Sequence, residues 1–135
     1  MAFELTEQVQ RRLTGDEIAW LTTVTPGGKP APRPVWFVWD GTAIVIYSMN
    51  GAARLRYIEA NPQVTVHFNS VGGSDILVIS GPAGRLPDAP PPSAFPGLLD
   101  KYGSLIEEMG ETPEWYDNNY GVALRVIPER SWGFD

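Results

Sequence analysis

The sequence predicts an α+β fold: a mostly antiparallel sheet of about six strands, closed into a small barrel and flanked by helices. Three observations carry this. Short runs of β-branched and aromatic residues recur along the chain. The first of them are joined by tight turns, which favour antiparallel neighbours. Amphipathic stretches with a four-residue spacing stand before, between and after them. Closure follows because a short antiparallel sheet otherwise leaves open edges. A length of 135 residues suits one domain, spanning 1–135.

Each element follows from local chemistry. Leu5, Val9 and Leu13 recur every four residues, with Thr6 near the start and Gly15 at the end, so the chain opens on a helix. Ile18 to Thr25 is a strand, and Pro26-Gly27-Gly28-Lys29 turns it back. Prolines at 30, 32 and 34 remove ladder donors, so the first half of Pro30 to Trp39 is expected to be edge or irregular, and Val35 to Trp39 the strong strand. Asp40-Gly41 tolerates positive φ and marks a hairpin. Thr42 to Tyr47 returns, with Ala43 to Ile46 apolar on both faces. Ser48 to Gly51 breaks the strand, Ala52 to Ala60 is a short helix with Leu55 and Ile58 inward, and Asn61-Pro62 closes it. Gln63 to Phe68 alternates, with Val64, Val66 and Phe68 opposite Thr65 and His67. After the loop Ser70 to Ser74, Asp75 to Pro82 is a strand. Leu86 to Pro96 is a proline-rich, extended connector. Pro96 to Met109 carries one apolar stripe of Leu98, Leu99, Tyr102, Leu105, Ile106 and Met109. Thr112-Pro113-Glu114 starts another short helix. Tyr120 to Ile127 is the last strand expected, which leaves Trp132-Gly133-Phe134 as a tail.

Composition excludes several functions. Apolar residues make up 43% and charged ones 19%, enough to fill a core and leave apolar surface for a partner. A net charge of −6 argues against nucleic acid, whose binding rests on basic patches. The absence of cysteine rules out disulfides, thiolate metal sites and a Cys nucleophile, and fits a reducing compartment. The amino terminus lacks a basic region followed by an apolar run, and no stretch is long enough to span a membrane. No membrane partner and a cytoplasmic location are therefore expected.

The side chains offer little self-sufficient catalytic equipment. His67 is the one histidine, too few for zinc. It sits mid-strand without a Gly-x-Ser-x-Gly elbow, so it reads as a partly exposed strand residue. Glu107-Glu108, Glu111 and Glu114 read as a solvated acidic face rather than a catalytic pair. No phosphate loop is present, and Gly27-Gly28 and Gly72-Gly73 are turns. An enzyme so equipped leaves the hard chemistry to a cofactor. The segment Tyr47 to Arg56 stands apart. A strand ends, Ser48 and Gly51 follow, and a helix begins, which presents free amides and a partial positive charge to an anion. Ser48 adds a hydroxyl and Arg54 lies in the first turn. Arg56 points elsewhere on the helix, so the two arginines would grip different groups of a long ligand. They also read as surface charges on an ordinary helix.

Several motifs in order carry a resemblance. They are Leu21-Thr22-Thr23-Val24, Gly28-Lys29-Pro30, Pro34 to Gly41, Tyr47-Ser48, Arg54-Leu55-Arg56 and Ala60 to Val64. Gly81-Pro82-Ala83, Lys101-Tyr102-Gly103 and Arg125 to Arg130 follow. Together, from about Ile18 to Phe134, the chain resembles the pyridoxamine 5'-phosphate oxidase-like family, its F420-dependent reductase branch most closely. The resemblance implies a split β-barrel homodimer with two cofactors at the interface, each completed by the other subunit. It implies a ring against Pro34, Val35, Trp36 and Phe37, a phosphate near Tyr47, Ser48, Ala53, Arg54 and Arg56, and Trp132 walling the substrate side. Lys29, Arg33 and Lys101 would extend the grip on a phospholactyl-oligoglutamate tail. The expected cofactor is F420, with FMN as the alternative. The expected activity is hydride transfer to a small planar unsaturated substrate, and the alternative is a carrier or sensor without turnover. The family commonly has Lys at position 54 and Asn at 57. Arg54 keeps the charge in a larger, forked head, and Tyr57 replaces the amide.

Overall fold

In the computed structural model, which describes residues 1–135, four helices and eight strands follow one another. The first helix, α1 (Glu7–Gly15), is capped by Thr6, whose hydroxyl accepts from the Val9 amide at 3.2 Å. Val9 and Leu13 are buried, whereas Leu5 precedes the cap and is exposed. Strands β1 (Ala19–Val24) and β2 (Pro30–Val35) form the first hairpin. The short β3 (Val38–Trp39) pairs with β4 (Ile44–Ser48) across the Asp40-Gly41 turn. Gly41 has a φ of 102°, and the Asp40 carboxylate accepts from the Thr42 and Ala43 amides at 2.8 Å each.

The expectation for residues 30–39 is reversed. The proline-rich half is the regular strand, and the apolar half is interrupted between Val35 and Val38. Pro30, Pro32 and Pro34 face Val24, Thr22 and Trp20, so all three share one parity of the ladder. Since β2 terminates the sheet, all three missing N–H groups turn outward, and Ala31, Arg33 and Val35 carry the pairing. The interruption has its own cause. The Phe37 amide donates to the Tyr102 hydroxyl at 2.9 Å, and the Phe37 carbonyl accepts from the Lys101 ammonium at 2.9 Å. Side chains of a helix, not a neighbouring strand, satisfy this backbone.

Helix α2 (Ala53–Ala60) leads to β5 (Gln63–Phe68) and the ten-residue β6 (Ile76–Arg85). β6 runs through Pro82, three residues past the expected end. A single 3₁₀ turn, Pro92–Ala94, interrupts the connector expected to be extended. Then come α3 (Leu98–Glu108), α4 (Pro113–Asn119), β7 (Val122–Val126) and β8 (Arg130–Phe134). The predicted tail is thus a strand, paired along β6 from Ile76 to Ser80. Its single apolar pair, Trp132 and Phe134, is too short a pattern to read as one. With 30–39 split in two, it raises the strand count from six to eight.

Seven strands form one curled antiparallel path, β2-β1-β5-β6-β7-β4-β3, and β8 joins β6 off that path. This is the split barrel. β6 belongs to both halves: residues 78–82 pair with β5, and residues 83–85 pair with β7. The corner from β7 to β8 crosses at Gly81, where a Cβ would overlap the Ile127 carbonyl oxygen. The barrel interior holds Leu21, Phe37, Ile44, Ile46, Val66, Ile79 and Leu124. A second core of Val45, Tyr47, Leu98, Tyr102, Ile106 and Tyr116 lies beneath α3 and α4. β4 separates the two cores, which is why it is apolar on both faces.

Candidate cofactor site

The site begins where β4 gives way to α2. Asn50 ties this loop to the end of α4. Its Oδ1 accepts from the Gly121 amide at 2.9 Å, and its Nδ2 donates to the Asn118 carbonyl at 3.0 Å. α2 starts at Ala52 with no side-chain cap and no acid in its first turn. Its first amides and the positive end of its dipole are therefore not neutralised by the protein. A cleft of about 450 Å³ opens here between the β1–β2 hairpin and the helix start. Its lining includes Thr23, Thr25, Lys29, Arg33, Ala53, Arg54 and Tyr57. Three cations line it and no carboxylate does, although the whole chain carries −6. None of the three makes an ion pair; the paired arginines are Arg11, Arg12 and Arg85. Burial lowers the pKa of Arg54, and the like charge of Arg33 lowers it further. An anion placed there relieves both penalties.

A second cleft of about 250 Å³ adjoins the first through Arg54. Pro34, Val35, Trp36, Tyr47, Met49, Tyr116 and Tyr120 wall it. Its aromatic side is a stack of four nearly parallel rings. Tyr102 and Trp36 are 4.5 Å apart at 5°, Trp36 and Tyr116 5.4 Å at 8°, and Tyr116 and Tyr120 4.6 Å at 14°. The stack is anchored at the fully buried Tyr102, whose hydroxyl accepts from the Phe37 amide and donates to the Glu17 carbonyl at 2.8 Å. The Tyr47 hydroxyl donates to the Pro90 carbonyl at 2.6 Å, and burial pushes its pKa up to about 12. Burial also raises Tyr116 and Tyr102. The ring cleft is thus walled mostly by apolar and aromatic side chains, with one cation, Arg54, among them.

The profile of pyridoxamine 5'-phosphate oxidase matches residues 5–132. The chain belongs to that family. No functionally curated protein matches it. Among solved structures, an F420 reductase is 23% identical, with a TM-score of 0.67, covering 90% of this chain and 94% of the other. A FAD-binding protein from Mesorhizobium loti is 19% identical, with a TM-score of 0.62 and coverage of 97% and 92%. The haem storage protein HutZ from Vibrio cholerae is 16% identical, with a TM-score of 0.65 and coverage of 97% and 95%. At these identities the likeness is one of fold.

Within this pyridoxamine 5'-phosphate oxidase family fold, the predicted residues divide into groups. Pro34, Val35, Trp36, Tyr47 and Arg54 wall the ring cleft, and Ala53 and Arg54 line the cationic one. Phe37 is buried in the barrel. Ser48 is buried, and its hydroxyl donates to the Met49 carbonyl at 3.2 Å. Arg56 is exposed and lines neither cleft. Trp132 is exposed on β8, beside Phe134, away from both clefts of the same chain. Lys29 and Arg33 reach the cationic cleft; Lys101 lies elsewhere, under Phe37. Sequence reasoning missed Thr23, Thr25, Tyr116 and Tyr120. The i, i+4 spacing of Tyr116 on α4 and Tyr120 at its C-cap is the signal that places them together. These residues fit a phosphorylated planar ring: a three-cation groove for the anion and an aromatic slot for the ring.

Proposed function

We propose that this protein is an F420-dependent oxidoreductase, transferring a hydride between the deazaflavin and a small planar unsaturated substrate, and that it works as a cytoplasmic homodimer. One observation carries the reading. An uncapped helix start and three unpaired cations, free of any carboxylate, join an aromatic slot through Arg54. Lys29 and Arg33 add two cations to Arg54 in the same groove. That suits a phosphate followed by carboxylates better than the single phosphate of FMN. The likeness to an F420 reductase and to a FAD-binding protein supports a flavin-type occupant.

When bound, reduced F420 supplies the hydride. The chain supplies position. Arg54 and the α2 amides hold the anion. Trp36, Tyr116 and Met49 orient the ring and exclude water. The phenols of Tyr47 and Tyr116 stay neutral, so the slot gains no negative charge near neutral pH.

The second subunit has a face to dock on. Pro34, Trp20, His67, Val78 and Trp132 are register partners across five strands, β2-β1-β5-β6-β8, and form one row on the outer face of the sheet. None of these five is buried. A second copy docked there would supply the Trp132 that neither cleft receives from its own chain.

Titration with F420 and with FMN, followed by tryptophan quenching, tests the reading. Failure of both to bind below about 100 μM, a free energy near −5.5 kcal/mol, ends it. A carrier without turnover remains as the second reading, because no His or carboxylate lines the ring cleft to move a proton. Turnover of reduced cofactor with quinones and enones separates the two.

A further inference from the structure

Five buried side chains carry a hydroxyl: Thr23, Tyr47, Ser48, Tyr102 and Tyr116. Three of these hydroxyls are bonded inside the protein. Tyr47 donates to the Pro90 carbonyl, Ser48 to the Met49 carbonyl and Tyr102 to the Glu17 carbonyl. Thr23 and Tyr116 have no partner for theirs, and each lines one of the two clefts. No side-chain nitrogen or oxygen that is sealed from solvent lacks a partner anywhere in the chain. The Tyr116 hydroxyl therefore reaches open space, although the residue is only 4% exposed. Its ring is stacked between Trp36 and Tyr120, and the space it borders is the ring cleft. A hydroxyl so placed lowers stability, since it gives up most of its water without gaining a bond. Phenylalanine would fill the same stack.

The polarity of the cleft points the same way. Among the side chains that wall it, Arg54 and Trp36 can only donate, and no carboxylate or amide is there to accept. Burial raises the pKa of Tyr116, so its phenol keeps the proton and donates as well. A guest that satisfies this wall brings acceptors. We infer that the Tyr116 hydroxyl orients a planar ring in the slot by donating to an oxygen at the ring's edge, and that it selects rings bearing a carbonyl or phenolate oxygen over hydrocarbon rings of the same shape. This rests on the reading of the cleft as a ring slot. Deazaflavins and flavins both present carbonyl oxygens at the ring edge.

A matched pair of probes tests it: anthraquinone-2-sulfonate and anthracene-2-sulfonate. Both are flat tricycles with one sulfonate for the cationic cleft, and only the first carries ring oxygens. Titration calorimetry on the full chain is expected to show the quinone binding about tenfold tighter, or about 1.4 kcal/mol. In Tyr116→Phe the quinone loses that advantage and the hydrocarbon is unaffected. The infrared carbonyl stretch of the bound quinone is expected at lower frequency in the wild type than in the variant, as a hydrogen-bonded carbonyl requires. Tyr116→Phe is also expected to resist urea at least as well as the wild type, because the hydroxyl it removes has no partner. Equal affinity of the two probes for the wild type, or a quinone preference that survives in Tyr116→Phe, overturns the inference and leaves the slot standing. A clear loss of urea resistance overturns it too, by showing that the hydroxyl holds the fold. If neither probe binds below about 1 mM, a free energy near −4.1 kcal/mol, the reading of the slot fails and the inference with it.

Discussion

Arg54 is the hinge of the candidate site, since it alone lines both clefts. Arg54→Glu is expected to weaken F420 binding at least about tenfold, or about 1.4 kcal/mol, while Arg56→Glu changes it little; tryptophan quenching measures both. Tyr102 carries a different burden. Tyr102→Phe leaves the Phe37 amide without its acceptor in a buried place, which is expected to cost about 1–3 kcal/mol in urea denaturation. The tyrosines also set an alkaline limit. Tyr47 has a folded pKa of about 12 against 10.0 for an ordinary phenol, so the unfolded chain releases its proton first. Between those values the unfolded state binds fewer protons, and stability must fall as pH rises. Melting temperatures should therefore be level up to about pH 9 and drop towards pH 12. At this scale the sequence was partly readable. Arg54 stood out because it lies in the first turn of the helix that follows a strand end. Tyr116 and Tyr120 did not, because their place in a stack depends on Trp36 and Tyr102, which are distant in the chain. Ser48 looked like a donor to an anion, yet its hydroxyl turns back to the Met49 carbonyl.

Among the elements, helices and alternating strands were legible because a periodic apolar face is enough to specify them. Gln63–Phe68 matches its expected bounds, and β4 is buried on both faces as its composition implies. Elements fixed by long-range partners were not legible. The proline strand β2 is regular only because its one ladder neighbour lies on the side where no proline donor is needed. β8 exists because β6 extends beyond β7 and offers five residues for pairing. β6 itself depends on Gly81, beneath the crossing of Ile127. Gly81→Ala is expected to destabilise by about 3 kcal/mol or more, since backbone rather than a flexible side chain must move. Chemical denaturation checks this, with Gly84→Ala, which meets nothing within 4 Å, as the comparison.

For the whole molecule, both clefts are open in one chain, and the row from Pro34 to Trp132 lies on the outer face of the sheet. Trp132→Glu puts a charge at the end of that row and is expected to yield monomers in sedimentation velocity, with weaker F420 binding as a consequence. No helix is long and apolar enough to cross a membrane. The outer rim at β2 has one more effect on how copies of this chain meet. An ordinary sheet border is a template on which a stranger's backbone can crystallise, strand upon strand, into fibrils. Here every outward donor along Pro30–Val35 that would start such growth has been deleted by a pyrrolidine ring. Association from this border is thereby steered away from main-chain zippering, and the protein can keep an apolar flank for recognition without seeding amyloid there.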